Sequence, residues 1–175
     1  MKVVIKVERM KAVDIAKWFI WKNNIEQIEN VTEGDEYEVY EGITHLKVQK
    51  LLYYAQGISL SLYNEPLFDE NILAWQHGPV VKEVYDFLSL NGRNDIRFKD
   101  EWLSTIEKIE RDDKFINILN LTYDNFGGYT AWQLREKTHT PGSPWEMTVK
   151  IMGMDRIIDN NLIKTYFKEY IISNG

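Results

Sequence analysis

Apolar residues recur at helical spacing along most of this 175-residue chain. Between Met10 and Asn24 they fall on one side of a helical wheel, and Thr44 is placed to cap a second helix that ends near Asn64. Further helices are predicted at 99–109, 111–125, 129–138, 144–152 and 159–172. Because the intervening loops are short, we predict a mainly α fold: a compact, single-domain antiparallel helical bundle.

Extended structure is predicted only in short pieces. The stretch before Pro79 lacks helical periodicity, so we expect a small extended or hairpin element near residues 66–78. Pro79 itself is predicted at the first position of the helix that follows, where a proline is tolerated. Two other brief extended pieces are predicted at 3–7 and 37–40.

The predicted helix at 44–64 is apolar on two opposite sides, which is typical of a helix sandwiched in the centre of a bundle. These apolar positions explain the fold but not the polar and tyrosine side chains beside them, which are Lys47, Gln49, Lys50, Tyr53 and Gln56. Two interpretations stay open. In the first, the side chains form a buried network that links this helix to neighbouring turns, because buried polar groups have to be satisfied. Alternatively, they line a shared cleft that takes a partner segment or a small ligand.

Charge narrows the range of partners. The formal net charge is −6, and an acidic segment at about 25–42 contains no Lys or Arg. We interpret this segment as a solvated loop; the alternative is a surface that steers a basic protein partner. The chain shows no basic stripe, so direct binding to nucleic acid is not expected, and no apolar run is long enough to span a membrane.

The residue types that carry chemistry are sparse. The chain has no cysteine, which excludes disulfides, thiolate metal sites and cysteine nucleophiles, and suits a reducing cytoplasm. The three histidines, His45, His77 and His139, are single and far apart, unlike a metal-ligand motif. No serine stands in a GxSxG elbow. We therefore predict no catalytic residue, metal or cofactor.

Tryptophan and tyrosine are abundant, at 6 and 10 residues. Such residues fill cores and are also enriched at protein interfaces. Burial is the expected role for each one taken alone. The residues to watch as interface candidates are Trp18, Trp21, Trp75, Trp132 and Trp145.

Three stretches in series are specific. They are ITHLKVQKLLYYAQG at 43–57, PLFDENILAWQHGPVVKEVY at 66–85, and the pairing of Thr138-His139 with Pro144-Trp145. In this order and spacing they resemble the Panacea domain, which is found in phage-associated proteins and in antitoxins. The resemblance covers about residues 12–170 and predicts one Panacea-like domain over 1–175, with a core at about 10–172 and an acidic insertion at about 25–42.

The resemblance implies a cytoplasmic antitoxin that neutralises a cognate toxin by direct binding, usually with the toxin encoded beside it. Two alternatives stay open: a protease adaptor, or a phage-encoded protein that binds a host or phage protein. An enzyme is the least favoured. The three stretches are expected to converge on one place, which gives a candidate binding site of Lys47, Gln49, Lys50, Tyr53, Gln56, Trp75, His77, Pro79, His139 and Trp145.

Overall fold

The computed structural model describes residues 9–33 and 42–172. In chain order these residues form α1 Ala12–Glu33, α2 His45–Tyr63, β1 Ile72–Trp75, β2 Gly78–Val81, α3 Lys82–Leu88, α4 Leu103–Glu110, α5 Asp113–Phe126, α6 Ala131–Thr138, α7 Pro144–Met152 and α8 Asn160–Tyr166. Short 3-10 turns lie at Ser89–Asn91 and Asp100–Trp102, and a π-helical segment, Phe167–Ile172, continues α8. The predicted mainly α fold is confirmed.

Helix α2 is the centre of the molecule. Thr44 caps its first turn by accepting a hydrogen bond from the backbone N–H of Lys47, and Asn64 ends it in the left-handed conformation. Every residue from 47 to 60 is buried, because α1, α5, α6, α8 and β2 all pack around this helix. The prediction of a central, sandwiched helix is confirmed. Leu62, in the last turn of this helix, is 47% exposed.

The hairpin forms within the stretch predicted to be extended. Strands β1 and β2 pair antiparallel, with Trp75 opposite Gly78 and a turn of Gln76 and His77 between them. Gly78 has φ 99°, a conformation that favours glycine and is found at the bulge after a type I hairpin turn. The other edge of β1 is bonded to residues 155–158, so β1 lies in the middle of a small three-stranded arrangement.

Pro79 corrects the predicted start of the third helix. It lies in β2, opposite Ala74, and α3 begins only at Lys82. The backbone N–H and C=O of Ala74 bond to Arg156 and Asp155 on the far side of β1. Position 79 therefore needs no ladder N–H, and a proline is tolerated in this strand.

Helix α1 is longer than predicted. It continues past Asn24 to Glu33, so the acidic segment begins as helix rather than as loop. Residues 25–33 include no glycine or proline, and Asn24 bonds back to the carbonyl of Ile20 instead of ending the helix. The extended pieces predicted at 3–7 and 37–40 lie outside the described residues.

The second half follows its predicted helices closely. The predicted helix at 144–152 matches α7 at both ends, and the one predicted at 129–138 ends at Thr138, as α6 does, with His139 as its C-cap. Trp18, which lies off the apolar side of α1, is covered by α4 and α5. Its indole Nε1 donates to Glu110 at 2.7 Å, and its ring contacts that of Tyr123.

Candidate functional site

Two polar side chains of α2 close the free edge of the hairpin. Gln49 bonds Val81 twice: its Nε2 donates to the carbonyl at 3.1 Å, and its Oε1 accepts from the backbone N–H at 2.8 Å. Beside it, Lys50 Nζ donates to the carbonyl of Pro79 at 2.9 Å. These side chains replace a neighbouring strand, so the outward backbone groups of β2 are satisfied without one.

Lys50 is fully buried, and burial lowers the pKa of its amine to about 7, with the nearby Arg135 charge acting in the same direction. The space around the amine is tight. A Cβ added at Gly78 would lie 2.8 Å from Lys50 Nζ and 2.7 Å from Thr138 Oγ1. Gly78 therefore serves two purposes, because the turn needs its positive φ and the buried amine needs its missing side chain.

The third stretch of the sequence also reaches the hairpin. Trp145 Nε1 donates to the carbonyl of Trp75 at 2.8 Å, and His139 Nε2 lies 3.3 Å from the carbonyl of Gln76. The rings of His139 and Trp145 are 3.8 Å apart. Helix α2, the hairpin and the segment from Thr138 to Trp145 thus meet around the 75–79 turn.

His139 lies between two backbone carbonyls, those of Arg135 and Gln76. Burial lowers its pKa below the ordinary value, although its bonds to the Arg135 and Gln76 carbonyls act in the opposite direction. A neutral imidazole donates from one nitrogen only. In the neutral form the proton belongs on Nδ1, because Nδ1 lies 2.7 Å from the Arg135 carbonyl, whereas Nε2 lies 3.3 Å from that of Gln76.

Two of the predicted site residues lie elsewhere. Gln56 accepts from the backbone N–H groups of Leu67 and Phe68 at 2.7 and 3.3 Å and donates to the Phe68 carbonyl at 3.1 Å. Tyr53 packs edge-on against Phe167, with ring centroids 5.4 Å apart. Burial raises the Tyr53 pKa well above its usual range. Both side chains hold other elements against α2 and do not reach the 75–79 turn.

An open groove lies beside this meeting point, with a volume of about 680 Å³. We call it the aromatic groove. Its walls come from the start of α2, the hairpin turn, α3, the loop at 92–93 and the start of α6. Thirteen residues line it: Thr44, His45, Leu46, Gln49, Trp75, Gln76, His77, Val80, Tyr85, Gly92, Arg93, Ala131 and Trp132.

The predicted candidates divide between this groove and the interior. Gln49, Trp75 and the exposed His77 line the groove. Lys47, Lys50 and Pro79 are buried, and His139 and Trp145 brace the turn from behind through the bonds given above.

Sequence reasoning missed His45, Tyr85 and Arg93 as part of the groove. His45 and Tyr85 stand inside the recognised stretches, and their rings meet at 4.8 Å. Trp132, one of the interface candidates, is 59% exposed. The signal in the sequence that could have identified Tyr85 is its position on α3, where the helical phase turns it away from the buried Val84.

Residues 9–33 and 42–172 contain no group of three or more His, Cys, Asp or Glu arranged to hold a metal ion. In the same part of the chain no helix is long and apolar enough to cross a membrane.

Comparison with known proteins identifies the family. The family model for the antitoxin SocA-like, Panacea domain matches residues 48–146. A curated relative, Antitoxin SocA of Caulobacter vibrioides (strain NA1000 / CB15N), is 31% identical over 136 residues, which cover 72% of this chain and 72% of the relative. No solved structure is significantly similar to the chain. The matched residues contain most of α2, the hairpin and the start of α7, the elements that meet around the 75–79 turn, and this chain belongs to the SocA-like family of Panacea-domain proteins.

Proposed function

We propose that this protein is an antitoxin that neutralises a cognate toxin by binding it directly. The observation that carries the proposal is the 31% identity over most of the chain to a protein named as an antitoxin. The toxin is expected to be a protein encoded by a neighbouring gene and to be met in the cytoplasm.

The environment of the polar motif residues supports binding over catalysis. The side chains of Gln49, Lys50 and Gln56 hydrogen-bond to backbone atoms of the hairpin and of residues 67–68. Groups engaged in this way hold the fold together, and the aromatic groove is an open surface beside the recognised motifs. An open surface with exposed aromatic side chains is typical of protein–protein recognition.

Overall charge supports a protein partner rather than nucleic acid. The formal net charge of −6 opposes association with a phosphate backbone. The proposal therefore includes no direct contact with DNA or RNA, and repression of the protein's own operon by this chain alone is not expected.

The test is co-expression of the tagged protein with the product of the neighbouring gene under a separate inducible promoter. Rescue of growth together with recovery of a stoichiometric complex is the expected result. If the neighbouring product is toxic, but growth is not rescued and no complex is recovered, the proposal is wrong.

The same strains separate the alternatives. A protease adaptor would shorten the half-life of the toxin, and rescue would disappear in a protease-deficient host. An enzyme would lose activity on a single substitution such as His77→Ala while still binding the toxin. For direct neutralisation we expect an unchanged toxin half-life and a rescue that follows affinity across variants.

A further inference from the structure

We propose that the aromatic groove is the toxin-binding site and that it takes a short segment in which an aromatic or aliphatic side chain is flanked by a carboxylate. This inference rests on the proposed function and adds the surface, the chemistry of the bound segment and the residues that select it.

The first support is the exposure of the groove's aromatic side chains. Trp132 is 59% exposed and Tyr85 is 39% exposed, and Trp75, which belongs to the same recognised stretch as Tyr85, lines the groove beside them. The ring centroids of Trp75 and Tyr85 are 4.9 Å apart, so these two form one continuous wall. Rigid aromatic walls bury a large area with little loss of side-chain entropy, as binding anchors do.

The second support is the rigidity of the supporting structure. Trp75 is fixed through its carbonyl by the indole of Trp145, and the strand after the turn is fixed by Gln49 and Lys50. His45 lies edge-on against Tyr85 at the start of α2. A preformed groove avoids part of the ordering cost of association, which favours tight binding.

The third support is local charge. The chain carries 27 acidic and 21 basic residues, yet none of the groove residues is Asp or Glu. Arg93 and two histidines stand among them. Arg135 stacks over the Trp132 ring at 4.6 Å but is paired with Glu136, so the local positive charge comes from Arg93. A basic site on an acidic protein selects a segment that carries negative charge.

The volume sets the size of the bound segment. About 680 Å³ lies within the range of about 300–1,000 Å³ typical of small-ligand pockets. The groove is therefore suited to a few consecutive side chains of a partner and not to the whole face of a long helix.

The first experiment measures the affinity of the co-purified toxin for variants of the groove. We expect Trp132→Ala to weaken the complex by at least about thirtyfold, as loss of a central aromatic anchor does. Arg93→Glu should weaken it about tenfold, mainly by slowing association at low salt.

Matched controls lie outside the groove. Ile151→Ala removes a side chain that is 76% exposed on α7, and Arg111→Glu reverses an exposed charge beyond α4. Both should change the affinity less than twofold. If Trp132→Ala and Arg93→Glu bind the toxin as tightly as these controls, the groove is not the binding site even though the antitoxin function stands.

The second experiment tests the groove without the toxin. Two blocked tetrapeptides, Ac-Glu-Trp-Leu-Glu-NH2 and Ac-Lys-Trp-Leu-Lys-NH2, are titrated into the full chain while the indole resonances of Trp75 and Trp132 are followed by NMR. The acidic peptide should shift both resonances saturably and bind at least about fivefold more tightly than the basic one. Equal binding of both peptides, or no shift at these indoles, would overturn the proposed chemistry.

The two experiments fail independently. If the groove selects the acidic peptide but no toxin complex forms, the groove is still a site for acidic segments, and the antitoxin function is wrong. A further outcome concerns self-association: if the protein alone sediments as a dimer that Trp132→Ala dissociates, a second copy of the chain occupies the groove and the proposal is overturned.

Discussion

At the scale of single residues, Gln56 shows how an unexplained polar group in a helix becomes a structural one. It makes three hydrogen bonds to the backbone at Leu67 and Phe68, all of them buried. A glutamine is suited to this task because its amide offers a donor and an acceptor side by side, as a peptide group does.

The first prediction follows from these bonds. Gln56→Ala leaves the backbone groups of Leu67 and Phe68 buried without partners, so the free energy of unfolding should fall by about 2–4 kcal/mol. Urea denaturation measures it. Gln76→Ala is the matched control, because that side chain is exposed on the hairpin turn and its loss should change stability by less than about 0.5 kcal/mol. Equal stability of the two variants would contradict a structural role for Gln56.

The second prediction concerns the buried amine of Lys50, whose pKa in the folded protein is about 7. In the unfolded chain the pKa returns to the ordinary lysine value of 10.5. Between these values the unfolded state binds more protons than the folded state, so stability rises with pH by up to about 1.4 kcal/mol per unit. Below pH 7 the cost of burying the charge is fully present.

Lys50→Met should remove this rise and should be most stabilising, relative to the wild type, at pH 6–7. The measurement is urea denaturation at intervals from pH 6 to 9.5. The upper limit stays below the titration of Tyr53 and Tyr54, whose raised pKa values act in the opposite direction above pH 10. A wild-type slope between pH 7 and 9.5 that survives in Lys50→Met would contradict the assignment to Lys50, since the lowered pKa values of His45 and His139 affect stability only below about pH 7.

At the scale of elements, Gly57 sets how closely the end segment of the chain approaches α2. A Cβ at this position would lie 2.3–2.5 Å from atoms of the Phe167 ring. The π-helical segment that begins at Phe167 therefore packs directly on the backbone of α2. Glycine costs helix stability in general, and here that cost permits the contact.

The third prediction is that Gly57→Ala destabilises the protein by about 1–3 kcal/mol, despite the better helix propensity of alanine. Thermal unfolding gives the change. Adding Phe167→Leu should relieve the clash, so that the double variant loses less stability than the sum of the two single variants. Strict additivity would show that Gly57 and Phe167 do not act on each other.

The elements themselves were largely predictable, and the exceptions have physical reasons. The Thr44 cap and the Pro144 start gave the correct bounds of α2 and α7, because these signals act within one turn. Pro79 was misplaced because a proline fits in β2 only where its partner on β1 needs no bond from it. That partner, Ala74, bonds instead to residues 155–156, far along the chain. Local patterns carry no signal of such a partner.

At the scale of the whole molecule, the recognised stretches marked the right region but not the right surface. Gln49, Lys50 and Trp75 were singled out as one group, and they do meet at the hairpin. The sequence did not separate the groups that face inward from those that face the groove. That division depends on how α3 and α6 approach the hairpin, and Arg93 and Trp132 come from outside the recognised stretches.

The last prediction uses this division to separate folding from binding in cells. Gln56→Ala should lower antitoxin activity only by lowering the folded fraction, because Gln56 lies outside the aromatic groove. Trp132→Ala removes an exposed side chain and should leave the fold intact while weakening the complex. Protein stability is highest near about 10–20 °C. Rescue by Gln56→Ala should therefore fail at 37 °C and return at 20 °C, whereas Trp132→Ala should be impaired at both temperatures. The measurement is growth of cells that express the toxin, with immunoblots of both proteins to report their amounts. Recovery of both variants at 20 °C would mean that Trp132 acts through stability, and recovery of neither would mean that Gln56 also takes part in binding.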